Sequence, residues 1–250
     1  MKHDDINVDS VGRVLEVLQE QYDPPNDVVW FRGQAVSNWT LTPSLYRNPY
    51  GLEHEQTLMT RFSQNALPLL NYRPSSSWEW LFLMRHHGCP TRLLDWTESP
   101  LVALYFACEN EGDQDQHDGY LWCLLPTVLN EQWGLTGTHP GDIPAFGGTL
   151  LEDYAPEKVA ATPGMRKQPA AAIAPREAGR MTAQQSVFTV HHQRTEALET
   201  YGDTQHVWRL VVPAASKVRI RRELATLGVS RLSIFPDLDS VAHIAREAIK

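Results

Sequence analysis

The tightest constraint on this chain is residues 91–108, TRLLDWTESPLVALYFAC, where a short run closed by proline passes directly into a long apolar one. Proline removes a backbone donor and blocks the preceding helical turn, so no single helix runs through Pro100. Ser99 fits a helix N-cap and Pro100 the first helical position. The stretch therefore predicts an extended segment at 91–97, then a helix with Leu101, Leu104, Tyr105 and Cys108 on one face. Thr97 and Ser99 are two residues apart, which in extended chain turns both hydroxyls to the same side. With the free N–H groups of the helix N-terminus they form a ready place for a polar or anionic ligand, although capping alone explains Ser99 equally well. Arg92 and Asp95 have two readings as well, a structural ion pair across the turn or part of one wall of a site.

The other segments are read from periodicity. SVGRVLEVLQEQ places Val11, Val14, Leu15 and Leu18 on one stripe behind Ser10 and predicts a first helix. DVVWFRG is a buried strand delivering Arg32 at its end. Gly33 lets the backbone turn or a ligand approach, and the guanidinium fork of Arg32 matches phosphate or carboxylate. The plainer reading of Arg32 is an ion pair at a sheet edge. Residues 52–70 predict a helix that frays at Pro68. SSSWEWLFLMRHHG predicts another between a Ser76/Glu79 capping box and Gly88. GYLWCLLP, QQSVFTVHH and HVWRLVVP read as strands, RRELATLG as a short helix, and FPDLDSVAHIAREAI as a terminal helix aligning Leu238, Val241, Ala242, Ala245 and Ile249. Residues 126–180, rich in Gly, Pro and Ala, read as a long loop or insertion. The whole is expected to be one α+β domain over 1–250, with parts at 10–125, 126–180 and 181–250 and a mixed or antiparallel sheet.

Composition narrows function. A formal charge of -8 and a pI near 5.7 argue against binding nucleic acid through a broad basic face, while leaving room for a local basic pocket. Three cysteines, Cys89, Cys108 and Cys123, form no CxxC pair and read as thiols in a reducing compartment, so a cytoplasmic location is expected. No window is long and apolar enough for a membrane span. The pairs His86-His87 and His191-His192 lack metal-chelating spacing, so no metal is expected. GxSxG, GxGxxG and GxxxxGK[ST] are all absent. Cys89 beside His87 reads as a small packed residue before a nucleophile.

FRGQ at 31–34, HHGCPTRLLDWTESPLVALYFA at 86–107, RMTAQQSVFTVH at 180–191 and SIFPDLDSVA at 233–242 together resemble the FRG domain family, from about residue 10 to the C-terminus. The order of the motifs is also similar to that of the ADP-ribosyltransferases, which bind NAD with an aromatic-Arg-Gly strand, a Ser-Thr-Ser-like strand leading into a helix, and a later strand with a Glu or Gln motif. That second resemblance implies a sheet split around a cleft and flanked by helices, and NAD as substrate without metal. It implies Arg32 on the NAD phosphate or ribose, Thr97 and Ser99 against the nicotinamide, and Gln184 at the substrate-selecting position. Gly33 and Arg92 would lie with the cofactor-binding set and Asp95 with the catalytic one. The acceptor would be a protein, a nucleic acid or water, in the setting of a toxin or of defence against phage. The sequence departs from that pattern at Ser186, where those enzymes carry glutamate. Asp95, Glu98 and Glu177 are the candidate replacement carboxylates. The alternative is a binding module for NAD, ADP-ribose or another nucleotide without turnover, or a protein-interaction domain.

Overall fold

The computed structural model describes residues 1–22, 28–109, 113–137, 139, 141–175 and 179–247. Its strands are β1 (Ile6–Asn7), β2 (Trp30–Gln34), β3 (Leu93–Thr97), β4 (Gly119–Leu124), β5 (Ala170–Ala172), β6 (Ser186–Val190) and β7 (Val207–Val212). They form one sheet in the order β1-β7-β4-β2-β3-β6-β5. Among the described strands only β1 and β7 pair in parallel. The helices are α1 (Val11–Gln21), α2 (Glu55–Ala66), α3 (Ser77–His86), α4 (Pro100–Ala107), α5 (Pro126–Glu131), α6 (Pro156–Ala161), α7 (Gly179–Ala183), α8 (Lys217–Thr226), α9 (Arg231–Ile234) and α10 (Leu238–Glu247). This is an α+β architecture on a single mixed sheet.

The local signals act as their chemistry dictates. Ser10 Oγ accepts from Arg13 N at 3.2 Å and starts α1, which buries Val11, Val14, Val17 and Leu18. Ser76 Oγ accepts from Glu79 N, while the Glu79 carboxylate closes the box one residue early by accepting from Ser75 N at 2.7 Å. Gly88, at φ 75°, takes the left-handed turn that ends α3. Past Ala66, α2 tightens into a 3-10 turn at Leu67–Leu69, as Pro68 requires.

Strand alternation sends neighbouring side chains into different cores. On one face Phe31, Leu121 and Cys123 pack with α1, α4 and α8. Farther along, Leu93, Phe188 and Val190 pack with Trp78 and Leu81 of α3. On the other face Trp30, Leu94, Trp96, Trp122 and Val187 share a third cluster. The sheet is continuous where two halves were expected, yet its middle is thin. β2 and β3 share only the pair Phe31↔Thr97, whereas β2 with β4 and β3 with β6 share five each. That seam lies where one face passes from the α4-covered core to the α3-covered one.

One expectation is corrected. The segment 126–180 holds α5, α6, β5 and a 3-10 stretch at Thr149–Tyr154 that buries Leu151 and Tyr154. β5 is three fully buried alanines, and without β-branched residues it gives no strand signal. Asn130 acts as its missing neighbour: Nδ2 donates to Ala171 O at 3.0 Å and Oδ1 accepts from Ala171 N at 2.8 Å. At the other end, α10 forms, but its apolar stripe does not face a core, since Leu238 is 84% exposed and Val241 and Ile244 are also exposed. Ile249 lies outside the described residues. No helix among the described residues is long and apolar enough to cross a membrane.

Candidate functional site

A cleft of about 320 Å³ opens over the seam, lined from β2, α3, β3, α4, α7 and β6. The size is at the low end for small-molecule sites. Its floor follows from pairing: Asp95 lies opposite Phe188 and Thr97 opposite Ser186, so alternation puts all four on one face. α4 contributes Phe106, α3 contributes Phe82, Arg85 and His86, and α7 contributes Arg180.

Arg32 occupies the gap in the ladder. Its Nη1 donates to the Asp95 backbone carbonyl at 2.6 Å and stands 3.9 Å from Asp95 Oδ2. The guanidinium thus takes a carbonyl that a closely paired β2 would have used. Arg32 Nε is buried without a partner among the described residues. Burial, with Arg85 and Arg47 nearby, pushes the Arg32 pKa down to about 10 against the pull of Asp95, and the group remains a cation at neutral pH. The Asp95 carboxylate accepts from Arg85 Nε at 2.7 Å and also from Arg85 Nη2. Burial acts to raise its pKa, but Arg85 and then Arg32 outweigh this and hold it below the usual carboxylate range. The cleft therefore gathers Arg32, Arg85 and Arg180 against one carboxylate, Asp95, in a chain of charge -8. Arg180 lies 4.5 Å from the Phe235 ring centroid and donates to His86 O at 3.5 Å, so the loop before α10 and the end of α3 both orient it.

Arg32, Gly33, Asp95, Thr97 and Gln184 line this cleft together; Ser99 and Arg92 do not. Ser99 caps α4, its Oγ accepting from Val102 N at 3.4 Å, while Thr97 Oγ1 accepts from Ser99 N at 3.1 Å. Arg92 lies three residues from Asp95, an odd separation that sends the two to opposite faces. Instead of pairing with Asp95 it is fully buried against Glu55, with Nε donating to Oε1 at 2.7 Å. Gly33 is needed by the helix, since an added Cβ would collide with the Ala103 carbonyl and Ala107 N of α4. Gln184 Nε2 donates to Ile234 O at 3.3 Å. Next to it Gln185 holds φ 46°, a left-handed conformation uncommon outside glycine, and its carbonyl accepts from Glu98 N at 3.2 Å. This turn sets Ser186 at the start of β6, facing the cleft. Glu98 is not among the lining residues, and Glu177 lies outside the described residues. No group of three or more His, Cys, Asp or Glu among the described residues is placed to hold a metal ion.

Sequence reasoning missed Arg85, Arg180 and the aromatic wall of Phe82, Phe106 and Phe188. Arg85 sits on the helix just before the motif at 86–107, and Arg180 opens the motif at 180–191 as its flanking residue, so neither stands out as a ligand-binding side chain in the sequence.

Residues 27–116 match the family model described as the FRG domain. The match is narrower than the span over which the sequence resembles the family. It takes in the Arg32 and Thr97 walls and stops short of α7 and β6. No curated protein and no solved structure matches the chain.

Proposed function

We propose that the cleft binds NAD or a related nucleotide through its phosphates, and that the chain works as a nucleotide-binding module. The observation that carries this reading is the excess of guanidinium groups at the seam. Three arginines held against a single carboxylate make a pocket suited to a di-anion, and the planar forks of Arg offer paired donors to phosphate oxygens. The Phe82, Phe106 and Phe188 rings supply the apolar surface on which a planar ring rests.

The same charge balance works against turnover. Cleaving the nicotinamide bond builds positive charge on the ribose, which a free carboxylate in the cleft stabilises. Here Ser186 is neutral, and Asp95 is already engaged by Arg85 with Arg32 beside it. Titration calorimetry on the folded protein is expected to give saturable binding of NAD and ADP-ribose that weakens with salt. Arg180→Ala and Arg32→Lys should each weaken it on the order of tenfold, the worth of a hydrogen bond to a charged group. Absence of binding, or binding indifferent to both substitutions, overturns the reading.

The placement of Asp95 beside Thr97 in the cleft favours one second reading, slow NAD cleavage with ADP-ribose passing to water or to a protein or nucleic-acid acceptor. It requires nicotinamide to appear during prolonged incubation and to vanish in Asp95→Asn. Its absence with varied acceptors removes this reading and leaves the binding module.

A further inference from the structure

A second cavity, of about 600 Å³, adjoins the cleft and shares Phe82, His86 and Met181 with it. Its remaining walls include Tyr72, Trp78, Glu79 and Phe146. Trp78 and Phe146 lie 4.8 Å apart between centroids, and Phe82 meets Phe146 edge-on at 5.1 Å, so the wall is a set of fixed rings. Tyr72 is more than half exposed at the rim and stacks on no other ring among the described residues. The Glu79 carboxylate is fixed by Ser75, whose N and Oγ both donate to it, and a hydrogen-bonded oxygen of this kind retains acceptor capacity toward an amine.

We propose that this cavity takes the purine base of the nucleotide whose phosphates sit at the arginines of the cleft. The inference rests on the nucleotide reading and extends it. A cleft of about 320 Å³ is too small to enclose a dinucleotide, while the two spaces together reach the volume of a full ligand site. Each part then has the chemistry for its half of the ligand: guanidinium groups for phosphate, and rings with one fixed acceptor for a flat heterocycle bearing an amine. Phe82 and His86, common to both, mark where the ribose passes. Because bases of any kind have a stacking face, the aromatic wall provides affinity and Glu79 the preference for an amino group.

The test compares ADP with ribose 5-phosphate and inorganic pyrophosphate, by calorimetry on the wild-type chain and on Tyr72→Ala, Phe146→Leu and Arg180→Ala. Tyr72 is exposed and Phe146→Leu keeps the site apolar, so both variants are expected to fold, which circular dichroism checks. ADP should bind on the order of tenfold or more tighter than the base-free phosphates, the range of base stacking on an aromatic wall. Tyr72→Ala and Phe146→Leu should erode that advantage and leave pyrophosphate binding unchanged, whereas Arg180→Ala should weaken all three. If ADP binds no better than pyrophosphate, or ignores both aromatic substitutions while still sensing Arg180→Ala, the base site is refuted and the phosphate cleft stands. If none of the three ligands binds the folded protein, the nucleotide reading fails and this inference with it.

Discussion

Arg32 and Gly33 are adjacent and solve different problems. Arg32 bridges a gap in the sheet with its side chain, and Gly33 gives α4 room to lie against β2. The glycine is not in a left-handed conformation, so its value is steric alone. Gly33→Ala must push the α4 backbone away and is expected to destabilise the fold by about 1–3 kcal/mol, as overpacking does. A denaturant midpoint unchanged from wild type would show that α4 shifts at no cost. Asp95 lines the cleft, but its ion-pair partner was not legible in the sequence. The sequence offered Arg92 three positions away, and strand alternation gives that arginine to Glu55 on the opposite face while Arg85 arrives from a helix.

Among the elements, the start of α4 was readable to the residue, because Ser99 and Pro100 act through local backbone chemistry. Ser99→Ala is expected to cost about 1 kcal/mol of stability by removing the cap. It should leave nucleotide affinity unchanged, since Ser99 does not line the cleft. A loss of affinity without loss of stability in this variant would return Ser99 to the site. β5 was unreadable for the opposite reason. Three alanines become a strand only because β6 lies on one side and the Asn130 amide closes the other. α10 shows the limit of periodicity, which predicted a helix correctly and could not say whether its apolar face meets a core.

At the scale of the molecule, burial of histidines gives the fold a pH dependence. His191 is fully buried with neither ring nitrogen partnered among the described residues, and burial, with Arg92 nearby, pushes its pKa from 6.5 to about 3. His192 is lowered to about 4 for the same first cause. A folded-state pKa below the unfolded one means that the unfolded chain binds the extra proton. The stability from keeping these rings neutral is therefore complete above about pH 6.5 and is lost as pH falls toward 4 and 3. Well below pH 6.5, His191 alone contributes a slope of about 1.4 kcal/mol per pH unit. Urea midpoints should fall steadily from pH 7 to pH 5, and His191→Gln should flatten the curve. A midpoint constant over that range would mean that the rings are solvated.

The sequence by itself determined what depends on neighbours in the chain: the capped starts of α1, α3 and α4, the strands carrying Arg32, Asp95 and Thr97, and the match of residues 27–116 to the FRG domain model. These follow from backbone donors, proline and short-period patterning, all of which act within a few residues. The tertiary structure alone decided which charges meet. It placed Arg85 and Arg180 beside Arg32, withdrew Arg92 into a buried pair with Glu55, and thinned the sheet to one pair at Phe31 and Thr97. An ion pair forms wherever two side chains are brought close, whatever their separation along the chain, so the net charge of the cleft could be read only after the sheet had folded.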